Sequence, residues 1–165
     1  MKGGKSRMTK TIASSKTQLQ LNQLLADLTQ LQNNIQQTHW YMRGKNFFHL
    51  HPLMDEYKDQ LGEQLDELAE RLIALGGSPY ATVKEFISNT GLPDEKIEFD
   101  QFTLPELMDR LLTEFKYLRD QYQIGIEVTD EEKDFPTQDI LNGYKSDTEK
   151  TIWMISAYLD ESPTD

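Results

Sequence analysis

The fold is decided by the stretch HWYMRGKNF at residues 39–47, which separates two long segments of helical character. Gly44 and Asn46 are turn-forming residues, so one helix is predicted to end near Arg43 and a second to begin near Phe47. The two helices therefore form a hairpin.

Two histidines lie symmetrically about this turn. His39 precedes Gly44 by five residues, and His51 follows Asn46 by five. In a helical hairpin this symmetry places the two imidazoles at similar heights on neighbouring helices.

A polar stripe runs along the second helix. At about 100° per residue, the side chains of His51, Asp55, Asp66 and Glu70 fall within an arc of roughly 100°. The residues from His51 to Asp66 nevertheless span about 22 Å along the axis at 1.5 Å per residue, far beyond a metal–ligand bond of about 2 Å. One chain therefore cannot bring the whole stripe to one metal ion.

Two copies of the chain can close such a site. If this helix packs antiparallel against its twin, the His51/Asp55 end of one chain meets the Asp66/Glu70 end of the other, giving two equivalent sites. Gly62, near the middle of the stripe, would allow the backbones to approach closely. Mixed imidazole and carboxylate ligands suit iron, zinc or manganese, and an iron site with open positions suits oxidation chemistry.

The alternative is that these groups are salt-bridge residues on an acidic helix surface, with His39 a satisfied interhelical histidine. Independent placement would seldom give both the stripe and the hairpin symmetry, so the metal site is the favoured interpretation. His49 lies roughly 200° around the helix from His51 and is left out of it.

Apolar residues at helical spacing predict four long helices. The first runs from about Lys16 to the turn, and the second from about Phe47 to about residue 75. Its end is marked by the sequence GGSP at residues 76–79. A long crossover over residues 80–102, with a short helix near residues 82–89, leads to the third helix at about Leu104.

The end of the chain is predicted to hold an acidic loop and a fourth helix. The loop covers residues 125–136, and the helix begins near Thr137 and ends before Ser162-Pro163. No strand pattern or internal repeat is seen. The chain is thus expected to be one all-α domain over residues 16–160, a four-helix bundle with one long crossover.

Composition gives further bounds. The 165 residues include no cysteine, which excludes disulfides and thiolate metal sites and fits a cytoplasmic protein. No window approaches the roughly 18 uncharged apolar residues of a membrane span, and no signal peptide is evident, so no membrane partner is expected.

The net charge of −11 is distributed unevenly. The first 16 residues hold five basic groups and no acid, so the rest of the chain carries a formal −16. Residues 1–15 are expected to be a flexible or weakly helical basic arm, and residues 161–165 a short acidic tail. The basic residues are Lys2, Lys5, Arg7, Lys10 and Lys16.

Several motifs together resemble the Dps family, the ferritin-like mini-ferritins named as DNA-binding proteins from starved cells. The resemblance covers about residues 16–160. It is carried by His39-Trp40, the Gly44–Phe47 turn, His51-x-x-x-Asp55, Asp66-x-x-x-Glu70-Arg71 and Leu75-Gly76-Gly77-Ser78-Pro79.

The resemblance implies a hollow homododecamer of 23 symmetry with ferroxidase centres shared between subunits. It implies His39, His51 and Asp55 as iron ligands from one chain and Asp66 and Glu70 from the other. Ferrous iron would be oxidised there, preferentially by hydrogen peroxide, and stored as ferric mineral, so that DNA is protected from oxidative damage.

Other residues acquire roles only through the resemblance or through proximity. Trp40, beside His39, could intercept an oxidising equivalent, although packing is the commoner role of such a tryptophan.

The resemblance places Asp130, Asp134 and Asp139 at a three-fold pore that attracts ferrous ions. Their alternative is a solvated loop with a helix-capping acid, and Phe135 departs from the more acidic run common in the family. Arg71 is expected to make a structural ion pair.

Three functions remain open from the residues. The leading one is the iron-oxidising shell. The second is a non-enzymatic DNA-coating protein that acts through the basic arm and is nucleoid-associated, and the third is a purely structural helical oligomer. A ferritin-type centre inside one bundle is excluded, because it is built from Glu-x-x-His pairs and this sequence has none.

Overall fold

The computed structural model describes residues 15–164 and shows five helices and no strand in that range. Helix α1 packs against α2, α4 and the short α3, and α4 packs against α5. The predicted all-α four-helix bundle with a helix in its crossover is therefore confirmed. The helices are α1 (Lys16–Tyr41), α2 (Phe47–Ala74), α3 (Val83–Asn89), α4 (Leu104–Glu132) and α5 (Phe135–Tyr158).

The core lies between the four long helices and is built from the apolar stripes seen in the sequence. The apolar residues that form the stripes of α1 and α4 are buried. Burial of this apolar surface is the main stabilising contribution to the fold. The residues are Leu21, Leu24, Leu25, Leu28, Leu31 and Ile35 from α1, and Leu104, Leu107, Leu111, Leu112, Phe115, Leu118 and Tyr122 from α4.

Three helices begin with a reciprocal capping box. In each, the side chain of a Ser or Thr accepts from the backbone N–H three residues later, and the Gln or Glu there accepts in return. These caps explain why the helices begin where they do. The pairs are Ser15/Gln18 for α1, Thr82/Glu85 for α3 and Thr103/Glu106 for α4.

The crossover is fastened to the bundle by a buried carboxylate. Asp27 is fully buried on α1 and accepts from the hydroxyl of Thr90 and the backbone N–H of Gly91, both at 2.9 Å. It also accepts from Gln23 at 3.0 Å and from the hydroxyl of Tyr117 at 3.2 Å. A side chain at position 91 would collide with this tyrosine, since an added Cβ would lie 2.1 Å from its hydroxyl. The close approach therefore requires glycine.

The prediction of an acidic loop over residues 125–136 is wrong. Helix α4 continues to Glu132, and only Lys133 and Asp134 separate it from α5. Gly125 does not break the helix, because it lies where α4 meets α5, and a Cβ there would lie 2.8 Å from a methyl carbon of Leu141. Gly125 thus lies in a close contact between helices rather than in a turn.

The acids at the end of α4 are held by the start of α1. The carboxylate of Glu132 accepts from the backbone N–H groups of Lys16 at 2.8 Å and Thr17 at 3.1 Å. The ammonium of Lys16 lies 2.7 Å from Glu131. Negative groups are unfavourable at a helix C-terminus, but here they meet the positive N-terminal end of another helix. None of the helices within residues 15–164 is both long enough and apolar enough to span a membrane.

Candidate metal centre

The two predicted histidines face each other across the α1–α2 hairpin. Their rings stack with centroids 3.7 Å apart and planes inclined by 24°. The Nδ1 atom of His39 lies 3.0 Å from the backbone oxygen of His51, and Nδ1 of His51 lies 3.1 Å from the backbone oxygen of His39. The hairpin symmetry in the sequence thus becomes a reciprocal pair of contacts.

These contacts assign the tautomers of both rings. A carbonyl oxygen only accepts, so both Nδ1 atoms carry a proton and donate it to the opposite helix. The Nε2 atoms are left with their lone pairs, which is the form in which neutral imidazole binds a metal. His39 is nine-tenths buried, whereas His51 is partly accessible.

Asp55 joins this end of the stripe. One of its carboxylate oxygens lies 3.7 Å from Nδ1 of His39 and 4.0 Å from the ammonium of Lys58, which also contacts Gln36. Asp55 itself is exposed. Three of the five predicted ligands, His39, His51 and Asp55, therefore lie at the same end of the stripe.

Asp66 and Glu70 lie away from them on the same helix. Both are exposed, and neither side chain makes a hydrogen bond or an ion pair within residues 15–164. Over the same residues, no group of three or more His, Asp or Glu side chains is arranged to hold a metal ion. One subunit therefore presents two partial sets of ligands, an imidazole end and a carboxylate end.

Two aromatic residues border the imidazole end. Trp40 follows His39 but is 67 % exposed and makes no ring contact with either histidine. Phe47, the first residue of α2, stacks on His51 with ring centroids 4.7 Å apart and planes inclined by 28°. The sequence reasoning missed this contact, although the spacing of four residues on one helix was a usable signal.

The three predicted pore acids have different surroundings. Asp130 and Asp139 are exposed on α4 and α5. Asp134 caps α5 by accepting from Thr137, and it pairs with Arg71 at 2.8 Å. Burial alone would raise the pKa of Asp134, but hydrogen bonds from Thr137 and Arg71 hold it below its usual value. The ion pair expected of Arg71 is thereby confirmed, and the carboxylate of Asp134 is committed to contacts within its own subunit.

The basic arm is only partly covered by the structure. Lys2, Lys5, Arg7 and Lys10 lie outside the described residues 15–164. Ser15 is the N-cap of α1, and Lys16 belongs to the helix and pairs with Glu131. Lys16 is therefore part of the bundle rather than of an arm.

Comparisons with known proteins identify the family and the fold. Residues 18–164 match the family model of the ferritin-like domain. The "DNA protection during starvation protein" of Listeria monocytogenes is 46 % identical over 158 residues, which cover 93 % of this chain and 98 % of that protein. A crystal structure of Dps from the same organism superimposes with a TM-score of 0.89 at 44 % identity, covering 94 % of this chain and all of that one. A structure of Listeria innocua Dps soaked with cobalt gives the same TM-score and identity, covering 94 % and 99 % of the two chains.

Proposed function

The chain belongs to the Dps family of ferritin-like proteins, and we propose that it oxidises ferrous iron at sites shared between two subunits and stores the ferric product. The observation that carries the proposal is the reciprocal pairing of His39 and His51. It prepares two imidazole nitrogens for a metal without any contribution from the metal itself.

Each site combines the two ends of the stripe. His39, His51 and Asp55 of one subunit meet Asp66 and Glu70 of the partner subunit across a two-fold axis, so each subunit pair holds two sites. The three carboxylates are exposed, and Asp66 and Glu70 have no side-chain partners within the described residues. Both features are expected of ligands that complete a site with a second subunit. Five ligands spread over two ferrous ions leave coordination positions for the oxidant.

The reaction consumes hydrogen peroxide. Two ferrous ions each give one electron, the O–O bond breaks, and two ferric ions and two hydroxide ions form. Because both electrons reach one peroxide at the same site, the peroxide is reduced to two hydroxide ions and no hydroxyl radical is released near DNA. The ferric ions are stored inside a cytoplasmic dodecamer of about 230 kDa, which is 12 chains of 19.2 kDa.

Rapid-mixing spectroscopy tests this reaction. The ferric absorbance of the purified protein is followed after ferrous iron is mixed with peroxide or with dissolved oxygen. We expect a fast phase with peroxide, a slower one with oxygen, and two irons oxidised per peroxide consumed. A rate no faster than that of iron in buffer would rule out the ferroxidase. Light scattering that shows only monomers or isolated dimers would rule out the shell.

We propose that ferrous iron reaches the cavity past Asp130 and Asp139. Both carboxylates are exposed where α4 meets α5, whereas the carboxylate of Asp134 forms an ion pair with Arg71. Replacing both acids by asparagine should slow iron uptake severalfold at micromolar iron but leave the rate at saturating iron unchanged, because only the local cation concentration falls. Glu127→Gln, which removes an exposed acid earlier on α4, is the control. Equal uptake by the double variant and the control at low iron would contradict the gating role.

The second candidate function is DNA coating through residues 1–14. This segment carries four basic residues and no acid, and 12 copies on one shell would act together on a duplex. The rest of each chain carries −11 − 4, or a formal −15, which opposes binding, and Lys16 is already paired with Glu131. The arms are therefore proposed to bind weakly, without regard to base sequence, and only at low salt.

A truncation that starts at Ser14 tests the arm. It keeps the Ser15 cap and the Lys16–Glu131 pair, so α1 should remain folded. We expect the full-length shell to retard DNA at low salt and much less at moderate salt, and the truncated shell not to retard it. A full-length variant with Lys2, Lys5, Arg7 and Lys10 changed to glutamine should behave like the truncation if charge is responsible. Equal binding by all three proteins would refute the arm hypothesis.

A further inference from the structure

The ring of His51 is enclosed by two others. It stacks on His39 at 3.7 Å and on Phe47 at 4.7 Å, with both pairs close to parallel. Two rings of this size cannot share one face of an imidazole at these distances, so they cover opposite faces. Only the edges of the His51 ring remain open, and its Nδ1 edge is taken by the backbone oxygen of His39.

The position of Phe47 is itself set by the turn. Asn46 adopts a left-handed conformation, with φ 71°, and the backbone N–H of Phe47 donates to the oxygen of Gly44 at 3.2 Å. The phenyl ring is half-buried and packs against the core cluster. It lies one helical turn before His51, so the start of α2 and the imidazole orientation are linked.

We propose that Phe47 is a positioning residue for the metal centre, which fixes the plane of the His51 imidazole so that Nε2 faces the metal position before metal arrives. The inference rests on the proposed role of His51 as a ligand. Without the phenyl ring, one face of the imidazole is open to water and the ring can rotate away from the His39 carbonyl. Groups that orient a metal-ligating histidine typically change metal affinity by about 10- to 100-fold.

The test uses cobalt(II) as a spectroscopic probe of the full-length shell. Cobalt is titrated into metal-free protein, and both calorimetry and the visible absorption of the bound ion are recorded. Phe47→Leu is expected to lower the affinity about 10-fold and to change the cobalt spectrum, whereas Phe47→Tyr, which keeps the aromatic face, should bind within about threefold of wild type. Iron oxidation should show a higher half-saturating iron concentration with a smaller change in maximal rate.

Phe48→Leu is the matched control. This neighbouring phenylalanine is 88 % exposed, meets the Phe47 ring in a T-shaped contact and makes no ring contact with His51, so its variant should bind cobalt like wild type. Light scattering establishes that each variant assembles, and Phe47→Met replaces Phe47→Leu if the latter does not.

Three results would overturn the inference. Wild-type affinity and spectrum in Phe47→Leu would show that the stack does not position His51. Equal weakening by Phe47→Leu and Phe47→Tyr would show that the aromatic face is not what matters. Unchanged cobalt binding by His51→Ala would remove the proposed ligand role of His51, and the inference with it. If His51→Ala loses cobalt binding but Phe47→Leu keeps it, the proposed function stands and only the role of Phe47 is refuted.

Discussion

Shells made of His51→Ala subunits are expected to oxidise ferrous iron at least about 100-fold more slowly than wild type, measured by ferric absorbance after mixing with peroxide at subsaturating iron. The substitution removes one imidazole ligand and also the ring on which His39 stacks. The backbone oxygen of His39 also loses the hydrogen bond that it accepts from Nδ1 of His51. The imidazole end of the site is therefore lost as a unit.

His49→Ala is the matched control for this loss. His49 is exposed, lies two residues away on the same helix and makes no hydrogen bond, ion pair or ring contact with the site residues. Its variant should oxidise iron at the wild-type rate. If both variants are equally slow while both shells are intact by light scattering, the loss reflects the helix rather than the ligand, and the assignment of His51 is wrong.

The second large effect concerns stability at neutral pH. Glu114 is 6 % exposed on α4, and its Oε2 atom has no hydrogen-bond partner among residues 15–164. Burial raises the pKa of this carboxyl to about 7, since Asn34 and Arg110 offset only part of the cost of burying the charge. The ordinary value is 4.5. The folded protein thus holds a proton that the unfolded chain releases.

The sign of the effect follows from this difference. Below pH 4.5 both states are protonated and Glu114 has no pH-dependent effect. Between pH 4.5 and 7 the unfolded state ionises first, so stability falls as pH rises, by about 3 kcal/mol in total, and above pH 7 the loss is complete. Glutamine does not titrate. Glu114→Gln should therefore gain stability relative to wild type between pH 5 and pH 8.

Thermal unfolding at both pH values measures the gain. The difference in melting temperature between Glu114→Gln and wild type should be several degrees larger at pH 8 than at pH 5. Glu95→Gln removes a half-exposed carboxylate that pairs with Arg110 in the same cluster, and it controls for the local loss of charge. A pH-independent difference for Glu114→Gln, or an equal one for Glu95→Gln, would show that burial of Glu114 does not limit stability.

The helices could be predicted from the sequence because their apolar residues recur at regular helical spacing and their capping residues are close in sequence. Ser15, Thr82 and Thr103 each stand at the start of a helix, followed three residues later by Gln or Glu. The prediction failed at residues 125–132, where a glycine and several acids suggested a loop. The contacts that keep this segment helical come from distant parts of the chain, namely Leu141 beside Gly125 and the start of α1 beside Glu132.

The candidate site was predictable to a similar extent. Spacing placed His39 and His51 opposite each other, and the structure confirms that they meet. Spacing could not show that each imidazole bonds to the other's backbone, because this depends on side-chain rotation and on the distance between the two helices. Spacing also could not show that Arg71 forms an ion pair with Asp134, since the two residues are 63 positions apart in the sequence.

The central claim is that each site draws ligands from two subunits, and mixed shells test it most directly. His51→Ala and Asp66→Ala subunits are dissociated, combined in equal amounts and reassembled. Half of the subunit pairs then contain one of each, and one of the two sites in such a pair has all its ligands, so roughly one quarter of the wild-type activity is expected to return. Mixed shells that oxidise iron no faster than either parent shell would contradict the shared site.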